Sequence, residues 1–294
     1  MIKNSEFCFF SVVLTAVLLF SCGKKEIFSP NKYILTESLQ SGSANFDIVK
    51  RFVYSEKKQL VSVWLKEGNT TLTFEYNEDK TIKKITSSEN NGSNYALLSY
   101  ENKLITQIQY YENNELAQES LFFRKEKKNT INKIEYYIYD GFSAKEKSIL
   151  EDLLFAEIKN IPESVQKSHK SGGKSLYSVQ NITYEGDNIF RVRLSYIKNG
   201  VEELFSITTY NYDDKKNPYY GLPYAITGLI GYSKNNVTFA RITLENDPSK
   251  TMITIKNNYS YEKKYPVYNA VEKTIISTIN FQLQYRSYQY DYQW

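Results

Sequence analysis

Cysteine, histidine, glycine and proline are all scarce in this 294-residue chain. It has two Cys and one His, too few for a Cys/His zinc site, and a thiol nucleophile or His-based triad has almost nothing to draw on. Its Gly 12 and Pro 6 are about half the usual share, which excludes collagen-like and Gly/Pro-rich disordered chains. No uncharged run reaches the ~20 residues that a spanning helix needs, and a mean hydropathy of −0.51 excludes a multispan helical membrane protein. One sign of charge does not dominate either: 37 Lys+Arg face 33 Asp+Glu. What the chain does have is aromatic residues. Tyr alone counts 27, and the 15% aromatic share argues against disorder.

The N-terminus reads as a secretion signal. Lys3 supplies a positive start, and Phe7 to Phe20 is an uncharged stretch of 14 residues, the length of a signal core. Leu19-Phe20-Ser21-Cys22 follows. It resembles the bacterial lipoprotein box, which implies cleavage before Cys22 and acylation of that cysteine. More than one acyl chain gives stable anchoring, each buried CH₂ contributing about 0.8 kcal/mol. Cys8 would leave with the signal, so residues 22–294 would hold neither a disulfide nor a free thiol. Residues 23–32 are polar, contain Pro30, and read as a tether.

From Tyr33 onward apolar and polar residues alternate with period two, as in Thr71, Thr73, Glu75 against Leu72, Phe74, Tyr76. The alternation repeats. Aromatics at 54, 76, 100 and 123 each close a strand and precede a polar turn and an apolar-x-x-apolar return, with spacings of 22, 24 and 23 residues. Looser copies follow at Thr183-Tyr184, Tyr210-Asn-Tyr212-Asp213-Asp214 and Tyr259-Ser-Tyr261-Glu262. Each copy is a hairpin that cannot bury its face alone, so the copies must stack.

These aromatic-x-Tyr-acid turns resemble the YD repeats of Rhs-type surface proteins, with Tyr212-Asp213-Asp214 through Tyr219 the best copy. Together with the lipoprotein box and the Lys/Asn/Tyr bias, residues 40–294 resemble Bacteroidetes-type lipoproteins of unknown function with a porin-like domain. That resemblance implies a β-hairpin architecture and no catalytic residues.

One helix is expected to interrupt the strands at about 144–160. Ser143 and Glu146 form a capping box, Ile149, Leu150, Leu153, Leu154 and Ile158 make one apolar face, and Pro162 ends it. The helix is expected to cover or plug one face or end of the sheet. Gly172-Gly173-Lys174-Ser175 lacks the first Gly of a phosphate loop and follows a helix rather than opening one. The single His169 reads as a loop residue. Asp213 and Asp214 suit a turn, where Asp bonds the backbone two residues on. Glu202 and Glu203 alternate across a strand and cannot act together. The basic excess is mostly Lys, expected on strands and edges where it blocks edge pairing; nucleic acid is not an expected partner. The last strand ends in Tyr290-Asp-Tyr292-Gln-Trp294, like an outer-membrane barrel terminus, yet charges such as Lys83-Lys84 and Arg191-Val-Arg193 recur on the strands.

The sequence therefore predicts a mostly β fold: an antiparallel meander of repeated hairpins forming a curved sheet or an open or closed barrel, with one inserted helix. Residues 1–21 are the signal, 22–32 the lipidated tether, and 33–294 a single β-repeat domain with a helical insertion at 143–175. The expected role is a non-catalytic, membrane-anchored envelope module that binds glycan or envelope protein. The alternatives are a pore-like outer-membrane barrel and a carboxylate-based glycan hydrolase. No cofactor or metal is expected. Candidate ligand contacts, on the premise that they are exposed, are Trp64, Tyr219, Tyr220 and Tyr224; Cys22 is the lipid site.

Overall fold

The computed structural model describes residues 33–40, 45–125, 130–139, 173–245 and 250–293. Sixteen antiparallel strands close into a barrel in strict chain order. They are β1 Tyr33–Gln40, β2 Asp47–Tyr54, β3 Leu60–Leu65, β4 Thr70–Tyr76, β5 Ile82–Ser87, β6 Tyr95–Glu101, β7 Leu104–Glu112, β8 Glu115–Arg124, β9 Ile131–Tyr139, β10 Lys174–Glu185, β11 Asn188–Lys198, β12 Val201–Lys216, β13 Asn235–Leu244, β14 Met252–Glu262, β15 Tyr265–Ile276 and β16 Phe281–Gln293. Of the expected alternatives, the sheet is the closed barrel. The last strand seals it by pairing with the first, from Tyr33 opposite Gln293 to Gln40 opposite Ser287. A closed barrel has no free edge for lysines to guard; Lys83 and Lys256 sit on the outer face and Lys263 and Lys264 in a turn. The signal, Cys22, the tether, His169 and the helix expected at 144–160 lie outside the described residues.

The hairpin repeat has a structural cause. All seven hairpins that turn at the end where β1 begins carry a bulge at the same place, immediately before Tyr54, Tyr76, Tyr100, Arg124, Tyr184, Tyr212 and Tyr261. We call this the proximal end. A bulge adds one residue and re-aims the side chain. In several hairpins that side chain, or a tyrosine two residues before it, reaches sideways to the preceding hairpin, and Tyr292 on the last strand does the same. Tyr76 OH donates to the Leu60 carbonyl at 2.6 Å, Tyr212 OH to Ile189 at 2.6 Å, Tyr259 OH to Val237 at 3.1 Å and Tyr292 OH to Pro266 at 2.7 Å. In the fourth unit the bulge residue is Arg124, not the expected anchor Phe123, and its guanidinium donates to the Ile105 carbonyl. The repeat is thus a lateral lock as well as a hairpin.

The turns explain the missing glycine. Two-residue hairpin turns of the favoured hand need positive φ at both positions. Here Asn102-Lys103 (50°, 65°), Asn113-Asn114 (50°, 66°) and Lys263-Lys264 (49°, 75°) supply it without glycine.

The inner face is apolar and the outer face polar. Val63, Leu72, Ile85, Ala96, Ile108 and Ile134 point inward and are fully buried, while Thr73, Glu75 and Lys83 are exposed. Inward side chains from most of the strands form one continuous cluster, so the β2–β11 side of the lumen is packed as a protein core. Arg51, Arg193, Arg241 and the pair Lys256–Glu272 (3.0 Å) stand on the outside. Exposed apolar side chains on the outside gather mainly around the β15–β16 turn, at Ile276, Ile279, Phe281, Leu283 and Tyr285.

Candidate functional site: a divided lumen

Residues 217–234, which join β12 to β13, fold inward. Pro218 and Pro223 remove backbone donors and stop the strand ladder, and Tyr224–Thr227 and Gly228–Tyr232 form two short helical turns. Leu222, Tyr224 and Leu229 enter the barrel's apolar cluster. This segment plugs the barrel.

Three fastenings hold it. At its base, buried Asn217 donates to the carbonyls of Ile230 and Ser233, both at 2.9 Å, and accepts from the Tyr219 amide. On one flank Tyr219 OH donates to Glu37, whose carboxylate also pairs with Lys50 at 3.2 Å. Lys50 lies 5.7 Å from the Tyr219 ring centre. Burial, reinforced by the Glu37 charge, pushes the Tyr219 phenol well above its ordinary value. On the opposite flank the Tyr224 hydroxyl meets that of Tyr136 at 3.1 Å, Tyr136 donates to Gln180 at 3.0 Å, and the Tyr224 ring stands edge-on to Phe122. The plug therefore bridges β1–β2 and β8–β10 across the lumen.

Among the described residues a cavity lies on each side of the plug. The larger, about 710 Å³, runs from the plug toward the distal end. Its β11–β14 wall is largely apolar, with Leu194, Phe205, Ile242 and Ile255 beside the polar Ser206, Thr208 and Asn257; its β15–β16 wall carries Asn269, Lys273, Gln284, Arg286 and Tyr288. The smaller, about 490 Å³, is the proximal mouth. Tyr33, Tyr54, Tyr76, Tyr100, Tyr220, Tyr224 and Tyr232 line it, with Lys57, Lys58, Lys80, Lys103 and Arg124. Burial lowers Arg124 from its ordinary value, against the raising effect of the Tyr232 and Tyr184 phenols. Among the described lining residues of either cavity there is no Asp or Glu.

The expected ligand contacts divide accordingly. Tyr219, Tyr220 and Tyr224 are brought together, but in the plug and not on an exposed surface: Tyr224 is buried, and Tyr219 and Tyr220 are half-buried. Trp64 is elsewhere, half-buried on the outer face, donating to Asn69 Oδ1 at 3.0 Å beneath the Arg51 guanidinium. Asp213 accepts from the Lys215 amide two residues on, as expected, although it lies within β12 and not in a turn. The sequence reading missed Glu37, Lys50, Lys273 and Arg286. Their signal was present for three of them: Glu37, Lys50 and Lys273 each have apolar residues two positions to either side, whereas Arg286 lies between Gln284 and Tyr288.

No family model matches the sequence, and no curated protein matches it. In fold the chain is similar to a porin-like protein from Bacteroides uniformis, with a TM-score of 0.54 over 88% of this chain and 95% of the other at 12% identity. The shared architecture is that of a porin-like β-barrel.

Proposed function

We propose that this chain is a non-catalytic cell-envelope barrel of porin-like architecture that holds a ligand in a plugged lumen. The observation that carries the reading is a lumen divided by the fastened segment 217–234, inside a barrel whose outer face is polar. Lipid at Cys22 would hold such a barrel at the outer membrane, facing either periplasm or surface, with its wall in water. The tyrosine-lined proximal mouth suits a glycan, because a tyrosine ring stacks on sugar while its hydroxyl stays available; an envelope protein is the other expected partner. A carboxylate-based hydrolase finds no acid pair among the described residues lining the cavities.

A second reading, a conducting outer-membrane pore, is favoured by the sixteen-strand closure and the porin-like neighbour. Against it, spanning strands need about 9–11 residues with an apolar outer face, whereas β3 and β5 have 6 and β4 and β6 have 7. Outward Lys or Arg at the bilayer centre costs about 2–4 kcal/mol each. The test replaces residues 1–22 by a cleavable secretion signal that leaves no cysteine to acylate. The variant is expected in the soluble fraction after lysis, folded, and silent in planar bilayers. A variant that stays embedded in the membrane and conducts would establish the pore and overturn the plugged-lumen reading.

A further inference from the structure

The larger cavity carries a charge pattern that the fold does not require. Lys273 and Arg286 line it, and no acid among the described lining residues neutralises them. Lys273 pairs in register with Gln284, and Arg286 with Val271, so the two cations are diagonal neighbours on one inner face. Diagonal side chains on a sheet are about 7–8 Å apart at their base, within reach of a shared partner for long side chains. Two like charges in that position repel, and a cleft with low-dielectric walls strengthens their field. Beside them, Ile255 pairs in register with Lys273, and Ile242 and Phe205 continue the apolar lining on β13 and β12. Asn269, 4% exposed, adds a carbonyl oxygen to the cavity wall that has no hydrogen-bond donor in the protein.

We infer that the larger cavity binds an amphipathic organic anion, with its acidic group between Lys273 and Arg286 and its apolar body on the β11–β14 wall. The volume of about 710 Å³ is that of a small-molecule site. A neutral molecule of the same shape would leave the cation pair uncompensated. A hydrophilic anion would leave the apolar wall unused. The inference rests on the plugged-lumen reading and assigns a ligand to its larger cavity.

The purified full chain would be titrated with dodecanoate, dodecyl phosphate and dodecanol by calorimetry, below their aggregation concentrations. At least one of the two anions is expected to bind at least about tenfold more tightly than dodecanol, the loss of a charge-assisted hydrogen bond being worth that much. The ranking of the two anions identifies the head group. Lys273→Gln and Arg286→Gln sit at solvent-accessible lumen positions and are expected to fold; each should weaken anion binding about tenfold and leave dodecanol unchanged. Equal binding of anions and dodecanol, or anion binding indifferent to both substitutions, overturns the anion assignment and leaves a lumen ligand standing. No binding of any of the three probes overturns the anion assignment. Ala240→Trp, which fills the cavity from its wall, must abolish binding; unchanged binding in that variant would place the probes outside this cavity and overturn the inference, leaving the plugged-lumen reading standing.

Discussion

Replacing Tyr224 by alanine tests whether the plug is a docked part of the core. Tyr224 is 3% exposed, packs edge-on against Phe122 at 5.3 Å between ring centres, and meets the Tyr136 hydroxyl. Truncating a buried aromatic to alanine costs about 3–5 kcal/mol, from lost transfer energy and the void left behind. That is a large part of the roughly 5–15 kcal/mol that holds a domain folded. At this chain size each kcal/mol moves the thermal midpoint by about 2–4 °C, so a fall of about 10 °C is expected. Tyr224→Phe keeps the ring and removes one hydroxyl. Tyr136 retains Gln180, so the cost should be about 1 kcal/mol. Tyr285→Ala, at a position 64% exposed, serves as the control and should stay within about 0.5 kcal/mol. Urea unfolding gives the energies, and chymotrypsin cleavage within 217–234 gives the local opening. If Tyr224→Ala costs no more than Tyr285→Ala and cleavage does not rise, the plug is not docked and the divided lumen is refuted.

Further outcomes follow from the proximal end. Tyr292→Phe leaves the Pro266 carbonyl of the closing strands without its buried donor and should cost about 1–3 kcal/mol in urea unfolding; no loss would mean that the tyrosine lock is decorative. Replacing Lys263-Lys264 by Asn-Gly relieves two lysines held at positive φ and should raise stability by up to about 1 kcal/mol, read as a higher urea midpoint at unchanged slope. Alkali should unfold the barrel. Burial raises the Tyr232 phenol to about 12 from its ordinary 10, so its contribution is intact below about pH 10 and is lost as pH rises toward 12. The difference corresponds to about 3 kcal/mol at most. Ultraviolet absorbance should show a group of tyrosines that ionise together with unfolding, and smooth independent titration would contradict the buried arrangement.

The repeat was legible because its physical cause is local. An aromatic strand end, a polar turn and an apolar return are all read from neighbouring residues, and the structure puts a bulge at each of those ends. The fourth unit misled by one position, since Phe123 continues the aromatic series while Arg124 takes the lock; a guanidinium replaces a phenol as donor, and sequence similarity does not register that exchange. Closure was left open because it depends on β1 meeting β16, a pairing of residues about as far apart as the chain allows. The plug was missed although it broke the pattern. Residues 217–234 hold two of the six Pro and three of the twelve Gly, and they abandon period-two alternation. Tyr219, Tyr220 and Tyr224 were expected as exposed rings, and they stand in that break. A loop rich in Leu, Ile and Tyr cannot stay in water without cost, and a barrel interior is the nearest place to bury it.

The inside-out polarity then has a single explanation. Sixteen strands enclose more space than inward side chains fill in small barrels, and a membrane porin spends that space on a water channel behind an apolar outer wall. Here the alternation has the opposite phase: Leu72 and Phe74 are buried within, and Thr73 and Glu75 are exposed. Shifting every strand by one residue would exchange the two faces, so phase, not strand number, determines whether such a barrel can sit in lipid. With apolar residues inside, water would be a poor filler. The β2–β11 side fills with its own side chains, and an eighteen-residue segment fills part of the rest. What stays open is the space beside β13–β16, where inward Asn269, Lys273 and Arg286 interrupt the apolar phase. Polar residues placed against the phase of a strand prevent packing there, and the cavity persists where they stand.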